Sequence, residues 1–152
     1  MSTETLGVSL QELYDKDFVL WAEETARLLR AGAIDDLDIE NLAEEIESIG
    51  RKDRRELRRR LKVLLSHLLK WQFQAAKRSI SWESTIFEQR EENAEVLDES
   101  PSLRRTMPAG LSKAYPSARK AAAIETGMLI KNLPPTCPYS LEQVLDESFL
   151  PK

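Results

Sequence analysis

The chain has 152 residues, of which 41% are hydrophobic, and a formal net charge of −4. This length and composition predict a single domain with its own core, and the lack of a long apolar run or a signal-peptide pattern predicts a cytoplasmic protein. The single cysteine, Cys137, excludes an internal disulfide and any metal site built from several cysteines.

Charge is segregated along the sequence. Residues 1–50 carry thirteen acids and three bases, residues 51–80 carry two acids and eleven bases, and residues 81–152 carry eleven acids and eight bases. Two arrangements produce such a pattern: a basic segment that binds nucleic acid, or a basic helix that packs against an acidic helix of the same fold.

The first long helix is predicted over about residues 15–31, after an N-terminus that is expected to be flexible over residues 1–13. Phe18 and Trp21 lie on its apolar face, and Gly32 can supply the left-handed residue that follows a helix end.

A second helix is predicted to begin at Asp36 or Asp38 and to end at Gly50. Its apolar and acidic residues recur at helical spacing on different sides. The predicted core residues are Ile39, Leu42, Ala43, Ile46 and Ile49, and the predicted outer residues are Glu40, Glu44 and Glu47.

A central helix is predicted over residues 53–77, with Asp53 and Glu56 resembling a helix start. Its apolar residues step by threes and fours along one side. They are Leu57, Leu61, Leu64, Leu68, Trp71 and Ala75, and Leu65 and Leu69 widen this leucine ladder in its second half. Because only Arg51 and Lys52 separate this helix from the second one, the two are expected to lie antiparallel.

Further helices are predicted downstream. One runs from Trp82 to Leu97 with Ser81 as its cap, and another covers residues 102–126, where Pro108 and Pro116 are expected to kink or divide it. Residues 128–152 are predicted to form an extended connector and a docking tail with a short helix after Ser140. The fold class is therefore predicted as an all-α, up-and-down bundle of four main helices, a proline-interrupted fifth and a short C-terminal helix, in a single domain over residues 1–152.

Several sequence blocks together resemble a known family. They include LDIENLAEEIESIGRKDRRELRRRLKVLLSHLLKW, SWESTI, SPSLR and CPYSLEQVLDESFLP. The chain is similar from about Tyr14 to Pro151 to the bacterial family of unknown function numbered 29. The resemblance implies an all-helical bundle but supplies no catalytic residues, and Pro108 and Pro116 fall where ordinary helix formers are expected in relatives.

A basic row is the strongest charge signal. Arg51, Arg55, Arg58 and Lys62 follow one another at spacings of four, three and four, which places them on one side of a helix where they could bind phosphates. The alternative, favoured by a sequence pI of about 5.2, is that the three glutamates of the second helix screen them or that they form a solvated face.

Glu45 and His67 are the candidates for catalysis. The only histidine, His67, could act as a general base or ligand with Glu45 across the antiparallel helix pair, but one histidine cannot build a di-iron or zinc site. The alternative is a buried or interfacial histidine that is hydrogen-bonded to a carboxylate, and neither a metal nor a cofactor is predicted.

A corner rich in tryptophan and cations is the candidate ligand site. Its residues are Lys70, Trp71, Arg78, Trp82 and Arg90. They could stack within the protein or around an anionic ligand.

Three functions follow from these observations. The first is a small cytosolic protein-interaction module that binds an unknown protein or itself, because no catalytic motif is found. The second is a ligand-binding domain or enzyme that uses Glu45, His67 and the corner of Trp71, Trp82 and Arg78. The third is nucleic-acid binding through the row from Arg51 to Lys62.

Overall fold

The computed structural model describes residues 7–152, and this range contains six α-helices and no strand. The helices are α1 (Leu10–Lys16), α2 (Phe18–Arg30), α3 (Ile39–Phe73), α4 (Ile80–Glu99), α5 (Met107–Thr126) and α6 (Leu141–Leu145). Turns of 3-10 helix cover Ile34–Asp36, Ala75–Lys77, Pro101–Thr106 and Ile130–Asn132. The prediction of an all-α fold is confirmed.

The chain begins its first helix earlier than predicted. Ser9 accepts a hydrogen bond from the backbone N–H of Glu12 and so caps α1. Residues 10–13, which were expected to be flexible, form the start of this helix because Leu10 and Leu13 are buried. Residues 1–6 of the predicted flexible segment lie outside the described residues.

Helix α3 joins two predicted helices into one. It runs without a break through Gly50, where the second helix was expected to end, and through Asp53, where the central helix was expected to start. A glycine inside a helix costs only about 1 kcal/mol, which the helix-forming glutamates, arginines and leucines on both sides offset. The predicted antiparallel arrangement of the two helices is therefore wrong.

The chain divides into two compact units, Met1–Lys52 and Asp53–Lys152, called here the N-terminal and C-terminal units. The N-terminal unit has a small core of Leu10, Leu13, Trp21 and Leu28. Phe18, predicted to be buried, is half exposed and stacks on Trp21 with ring centroids 5.4 Å apart. The single domain over residues 1–152 stays a prediction.

The C-terminal unit is organised around the leucine ladder of α3. Leu61, Leu64 and Leu68 are almost completely buried, as predicted, and so are Leu65 and Leu69. Apolar residues of α4, α5 and the tail enclose them, including Ile86, Met107, Ala118 and Val144. The second half of the ladder is buried on two sides, as expected from its widening by Leu65 and Leu69.

The later helices differ from the prediction mainly at their ends. Ser79, not Ser81, caps α4. Pro108 lies in the first turn of α5, where its missing N–H is not needed, and a 3-10 turn precedes it. Helix α5 continues through Pro116 because Pro116 and Ser112, whose carbonyl loses its partner, are both exposed to solvent.

The tail packs against the C-terminal unit. Ser140 and Gln143 form the predicted capping box at the start of α6. Val144 is fully buried in the core, and the hydroxyl of Tyr139 donates to the side chain of Gln72 on α3 at 2.7 Å.

Candidate functional site

The basic row on α3 is only partly neutralised. Arg51 contacts Glu44 at 2.6 Å and Glu47 at 3.7 Å. In the part of the chain that the structure describes, no carboxylate pairs with Arg55, Arg58 or Lys62. The interpretation that the glutamates of the second helix screen the whole row is wrong. The predicted second helix is the first part of α3 itself, and its glutamates pair only with Arg51 among the four residues of the row.

Two grooves of the C-terminal unit open beside the basic row. One, of about 300 Å³, has an apolar floor that includes Leu57, Leu61 and Met107, and Arg54, Arg58 and Lys113 at its rim. The other, of about 270 Å³, is lined by cations. These are Arg55, Arg58, Arg59, Lys62 and Lys113, of which Arg59 is paired with Glu56.

Lys113 is a site residue that sequence reasoning missed. It lies on α5, fifty-one residues after Lys62, and borders both grooves. Nothing in the local sequence distinguishes Lys113 from other exposed lysines, because its position beside α3 depends on how the two helices pack. Only a correct pairing of α3 with α5 could have found it.

The residues predicted as the core of the second helix lie largely at the surface. Ile39, Ile46 and Ile49 are 54%, 62% and 60% exposed, and Ala43 is exposed as well. Leu42 alone packs against the small core of the N-terminal unit. The isoleucines recur at spacings of seven and three, so they share one side of α3. We call Ile39, Ile46 and Ile49 the isoleucine face.

Glutamates lie along the same stretch of α3. Glu40, Glu44 and Glu47 are exposed, as predicted. The N-terminal unit as a whole carries thirteen acids and five bases, a net charge of −8. The isoleucine face therefore lies in a strongly negative environment.

Glu45 has a partner within the N-terminal unit. Its Oε1 accepts a hydrogen bond of 2.6 Å from the hydroxyl of Tyr14. This bond to a carboxylate raises the pKa of Tyr14 to about 12, since loss of the proton would break it and place two negative charges together.

His67 has two hydrogen-bond partners within the C-terminal unit, and neither is the carboxylate that was predicted. Its Nδ1 lies 2.8 Å from the carbonyl oxygen of Val63 and so carries the proton, which leaves Nε2, 3.4 Å from Nζ of Lys70, as an acceptor. Burial lowers the pKa of His67. Because α3 is continuous, the turn between the second and central helices that was expected to bring Glu45 next to His67 does not exist. The predicted catalytic pair therefore does not form across an antiparallel helix pair.

The predicted corner of tryptophans and cations separates into intramolecular contacts. Nζ of Lys70 lies 5.1 Å from the ring centroid of Trp82 and 2.6 Å from the carboxylate of Glu125. The guanidinium of Arg78 lies 4.9 Å from the ring centroid of Trp71 and donates to the carbonyl oxygen of Trp71. Stacking within the protein, one of the two predicted arrangements, is what the structure contains.

Arg90 belongs to a different place in the C-terminal unit. Its buried guanidinium donates to the carbonyl oxygens of Val144 at 2.9 Å and Gln143 at 3.2 Å. A cavity of about 370 Å³ beside it is lined in part by Leu97, Arg104 and residues of α6. The role of Arg90 in these contacts is to hold the tail.

Two side-chain amides on α4 have buried polar atoms without a hydrogen-bond partner. Both polar atoms of Asn93 and the side-chain oxygen of Gln89 have no protein partner among the described residues. Arg60 of α3 forms an ion pair with Glu92 of α4, the residue that precedes Asn93. This polar layer reduces the stability that the core supplies.

The remaining reactive groups offer no further site. In residues 7–152, no three side chains of His, Cys, Asp or Glu converge as a metal site would require. Burial raises the pKa of Cys137, which disfavours its reactive thiolate form.

No helix within residues 7–152 is long and apolar enough to cross a membrane.

Comparison with known proteins gives one match. The family model of the domain of unknown function DUF29 matches residues 13–150, nearly the whole chain. Neither the curated proteins nor the solved structures contain a match to this sequence.

Proposed function

The chain belongs to the DUF29 family, domains of unknown function, and we propose that it is a cytosolic protein-interaction module that binds its partner through the isoleucine face. A single observation carries this proposal: Ile39, Ile46 and Ile49 are each more than half exposed on one side of a well-formed helix. Large aliphatic side chains grouped in this way mark a docking surface more often than isolated ones do.

Burial of this face would supply a large part of a binding energy. Full burial of an isoleucine side chain is worth about 1.5–3 kcal/mol, so three half-exposed isoleucines together offer several kcal/mol. A partner helix that lays its own apolar residues along α3 would gain this energy without any rearrangement of the backbone.

The charge of the N-terminal unit defines the partner class. With a net charge of −8, the unit repels acidic proteins and attracts basic ones. The partner we propose is therefore an amphipathic helix of another protein, with leucines or isoleucines on one side and lysines or arginines beside them.

A photocrosslinking experiment in cells tests the proposal. A photoreactive amino acid replaces Ile46 in one full-length variant and Ile124, an isoleucine of α5 that is 70% exposed, in the control variant. We expect a crosslinked protein at position 46 and not at position 124, and mass spectrometry should map the crosslink to a basic amphipathic helix. A crosslink to a non-basic segment, or equal crosslinking at both positions, would overturn the proposal.

A substitution completes the test. Ile46→Ser should weaken binding of the identified partner at least about tenfold, since it removes one of three central apolar contacts. Ile124→Ser serves as the matched control and should leave the affinity unchanged.

Nucleic-acid binding is the second candidate function. It is supported by Arg55, Arg58 and Lys62, which lack carboxylate partners among the described residues, and by Lys113 beside them. The exposed glutamates on the same helix oppose it, because they repel phosphates. The enzyme candidate receives no support from the contacts of Glu45 and His67, which are each engaged within their own unit.

A further inference from the structure

Two side chains connect the grooves of the C-terminal unit. The first groove, of about 300 Å³, has an apolar floor, and the second groove, of about 270 Å³, is lined mainly by cations. Arg58 of α3 and Lys113 of α5 border both grooves. An apolar depression and a cationic one therefore adjoin, and every residue that lines them belongs to the same unit.

Most cations of the two grooves have no partner. Within the part of the chain that the structure describes, five of them form no ion pair. They are Arg54, Arg55, Arg58, Lys62 and Lys113, and all except the half-buried Lys62 are exposed. The C-terminal unit carries seventeen bases and thirteen acids, a net charge of +4. The grooves therefore attract a negative ligand, and its binding would relieve the repulsion among these cations.

The floor of the first groove is aliphatic and is kept open by a glycine. Leu57, Leu61 and Met107 form the floor and are almost completely buried. Gly110 of α5 also lines this groove, and a Cβ added to it would lie 3.7 Å from Cδ1 of Leu61, an ordinary contact distance. A larger side chain at this position would thus fit the helix but occupy part of the groove.

We propose that the two grooves bind an acidic segment of a partner protein, which places a large apolar side chain in the first groove and carboxylates against the cations. Sites that enclose a whole small-molecule ligand measure about 300–1,000 Å³, so each groove is at or below the small end of that range. A depression of this size suits a single anchor residue of a bound peptide. Carboxylates match the geometry of arginine through paired hydrogen bonds.

Two other anionic surfaces fit the grooves less well. Neither groove is lined by an aromatic residue, whereas single-stranded nucleic acids bind largely by stacking their bases on aromatic side chains. A duplex is held through its phosphates and gains nothing from an aliphatic floor. An anionic membrane needs apolar side chains that project into it, but Leu57, Leu61 and Met107 are buried beneath the groove.

This site is independent of the isoleucine face. The grooves use only residues after Lys52 and select an acidic partner, whereas the isoleucine face belongs to the N-terminal unit and is proposed to select a basic one. The inference therefore goes beyond the proposed function. Ile46→Ser should leave binding at the grooves unchanged, so failure of one proposal does not affect the other.

Selection from a library of random displayed peptides, with the full chain as bait, tests the chemistry of the partner. We expect the enriched peptides to be richer in aspartate and glutamate than the unselected library. They should also share at least one leucine, isoleucine, methionine or phenylalanine. A selection that enriches no peptide, or peptides that are not acidic, would overturn the proposal.

Removal of the two shared cations tests where the peptide binds. The dissociation constant of the most enriched peptide is measured by fluorescence anisotropy. Arg58→Gln together with Lys113→Gln should raise it at least about tenfold, because both grooves lose a cation. Lys120→Gln together with Lys131→Gln is the matched control, since it removes the same charge from exposed positions outside both grooves. This control should bind nearly as the original chain does.

Filling the first groove tests the apolar anchor. Gly110→Leu should raise the dissociation constant at least about tenfold, while the helix content measured by circular dichroism is retained because leucine favours a helix more than glycine does. Ser112→Leu, at an exposed position of α5 outside both grooves, should change neither. A peptide whose anchor is replaced by serine should bind the original chain weakly and lose little more on Gly110→Leu.

Three outcomes would contradict the proposed site. The first is unchanged peptide binding in the variant that lacks the cations of Arg58 and Lys113. The second is unchanged binding in a folded Gly110→Leu variant. The third is that single-stranded DNA, duplex DNA or phosphatidylglycerol vesicles bind more tightly than every selected peptide at the same salt concentration and lose that binding in the Arg58 and Lys113 variant. In that case the grooves bind phosphates instead.

Discussion

The two units of this chain differ in how much of their apolar surface they bury. Among described residues, the N-terminal unit buries four large apolar side chains, whereas the C-terminal unit has nineteen residues in its buried cluster. The N-terminal unit also contains seven of the twelve exposed large apolar residues, although it is half the size of the other. A similar apolar pattern along α3 thus forms a core in one unit and a surface in the other.

This difference separates the main core of the chain from the surface that we propose for binding. Apolar burial is the main source of folding energy, so the C-terminal unit contains most of what stabilises the chain. The N-terminal unit leaves more of its aliphatic side chains in water, and they include the isoleucine face that the proposed partner would cover. Four predictions test this contrast.

The largest effect is expected in the leucine ladder. Leu64→Ala should lower the free energy of unfolding by about 2–5 kcal/mol, because it leaves a cavity among fully buried neighbours. Ile46→Ala, at an exposed position, should change it by no more than about 0.5 kcal/mol. Urea denaturation followed by circular dichroism measures both, and similar losses would contradict the contrast between the units.

The next largest effect concerns the attachment of the tail. Arg90→Met keeps the length and apolar stem of the side chain but leaves the carbonyl oxygens of Gln143 and Val144 without their donor. We expect a loss of about 1–3 kcal/mol. Hydrogen exchange of α6 should accelerate, while Arg105→Met, at an exposed arginine, should leave it unchanged.

A smaller effect should appear with pH in the C-terminal unit. Because burial lowers the pKa of His67 below its usual value of 6.5, the unfolded chain binds a proton more readily than the folded chain. The stability due to neutral His67 is complete above pH 6.5 and is lost as pH falls from there through the folded-state pKa. His67→Gln should remove this dependence, and NMR titration of the single histidine measures its pKa directly.

The smallest effect belongs to the N-terminal unit. Glu45→Gln should lower the pKa of Tyr14 from about 12 towards 10, because the negative acceptor of its hydroxyl proton is gone. The pKa of Tyr115, raised to about 12 mainly by burial, should not change. NMR titration of the tyrosine rings distinguishes the two, and an unchanged Tyr14 would show that the contact with Glu45 does not persist in solution.

The sequence predicted the helical fold well wherever one strong signal was available. The ladder of Leu61, Leu64 and Leu68 has a clear period and is buried as expected. The capping residues Ser140 and Gln143, and Gly32 with its φ of 71°, also follow from local rules. Each of these features depends on residues within one or two helical turns.

Predictions failed where the outcome depends on packing. Gly50 followed by Asp53 and Glu56 resembles the end of one helix and the start of another, but helix formers on both sides continue α3 through them. The isoleucine face has the period of a core, and periodicity alone does not tell whether a neighbouring helix exists to cover it. The proposed pair of Glu45 and His67 failed with the turn on which it depended.

The candidate site was predictable in part. Arg51, Arg55, Arg58 and Lys62 were identified from their spacing, but the different environment of Arg51 required the actual position of Glu44 and Glu47. Lys113 could not be found at all, because it comes from another helix.

Part of the tail is held through its main chain rather than through its side chains. Arg90, Tyr115 and Arg119 donate hydrogen bonds to main-chain carbonyl oxygens of Gln143, Val144, Pro134, Leu133 and Ile130. Every amino acid has this oxygen, so an exposed residue such as Ile130 can be exchanged while the bond from Arg119 to its carbonyl oxygen persists. At such exposed positions the path of the chain is set by the donors on α4 and α5, and the side chain can differ without changing that path.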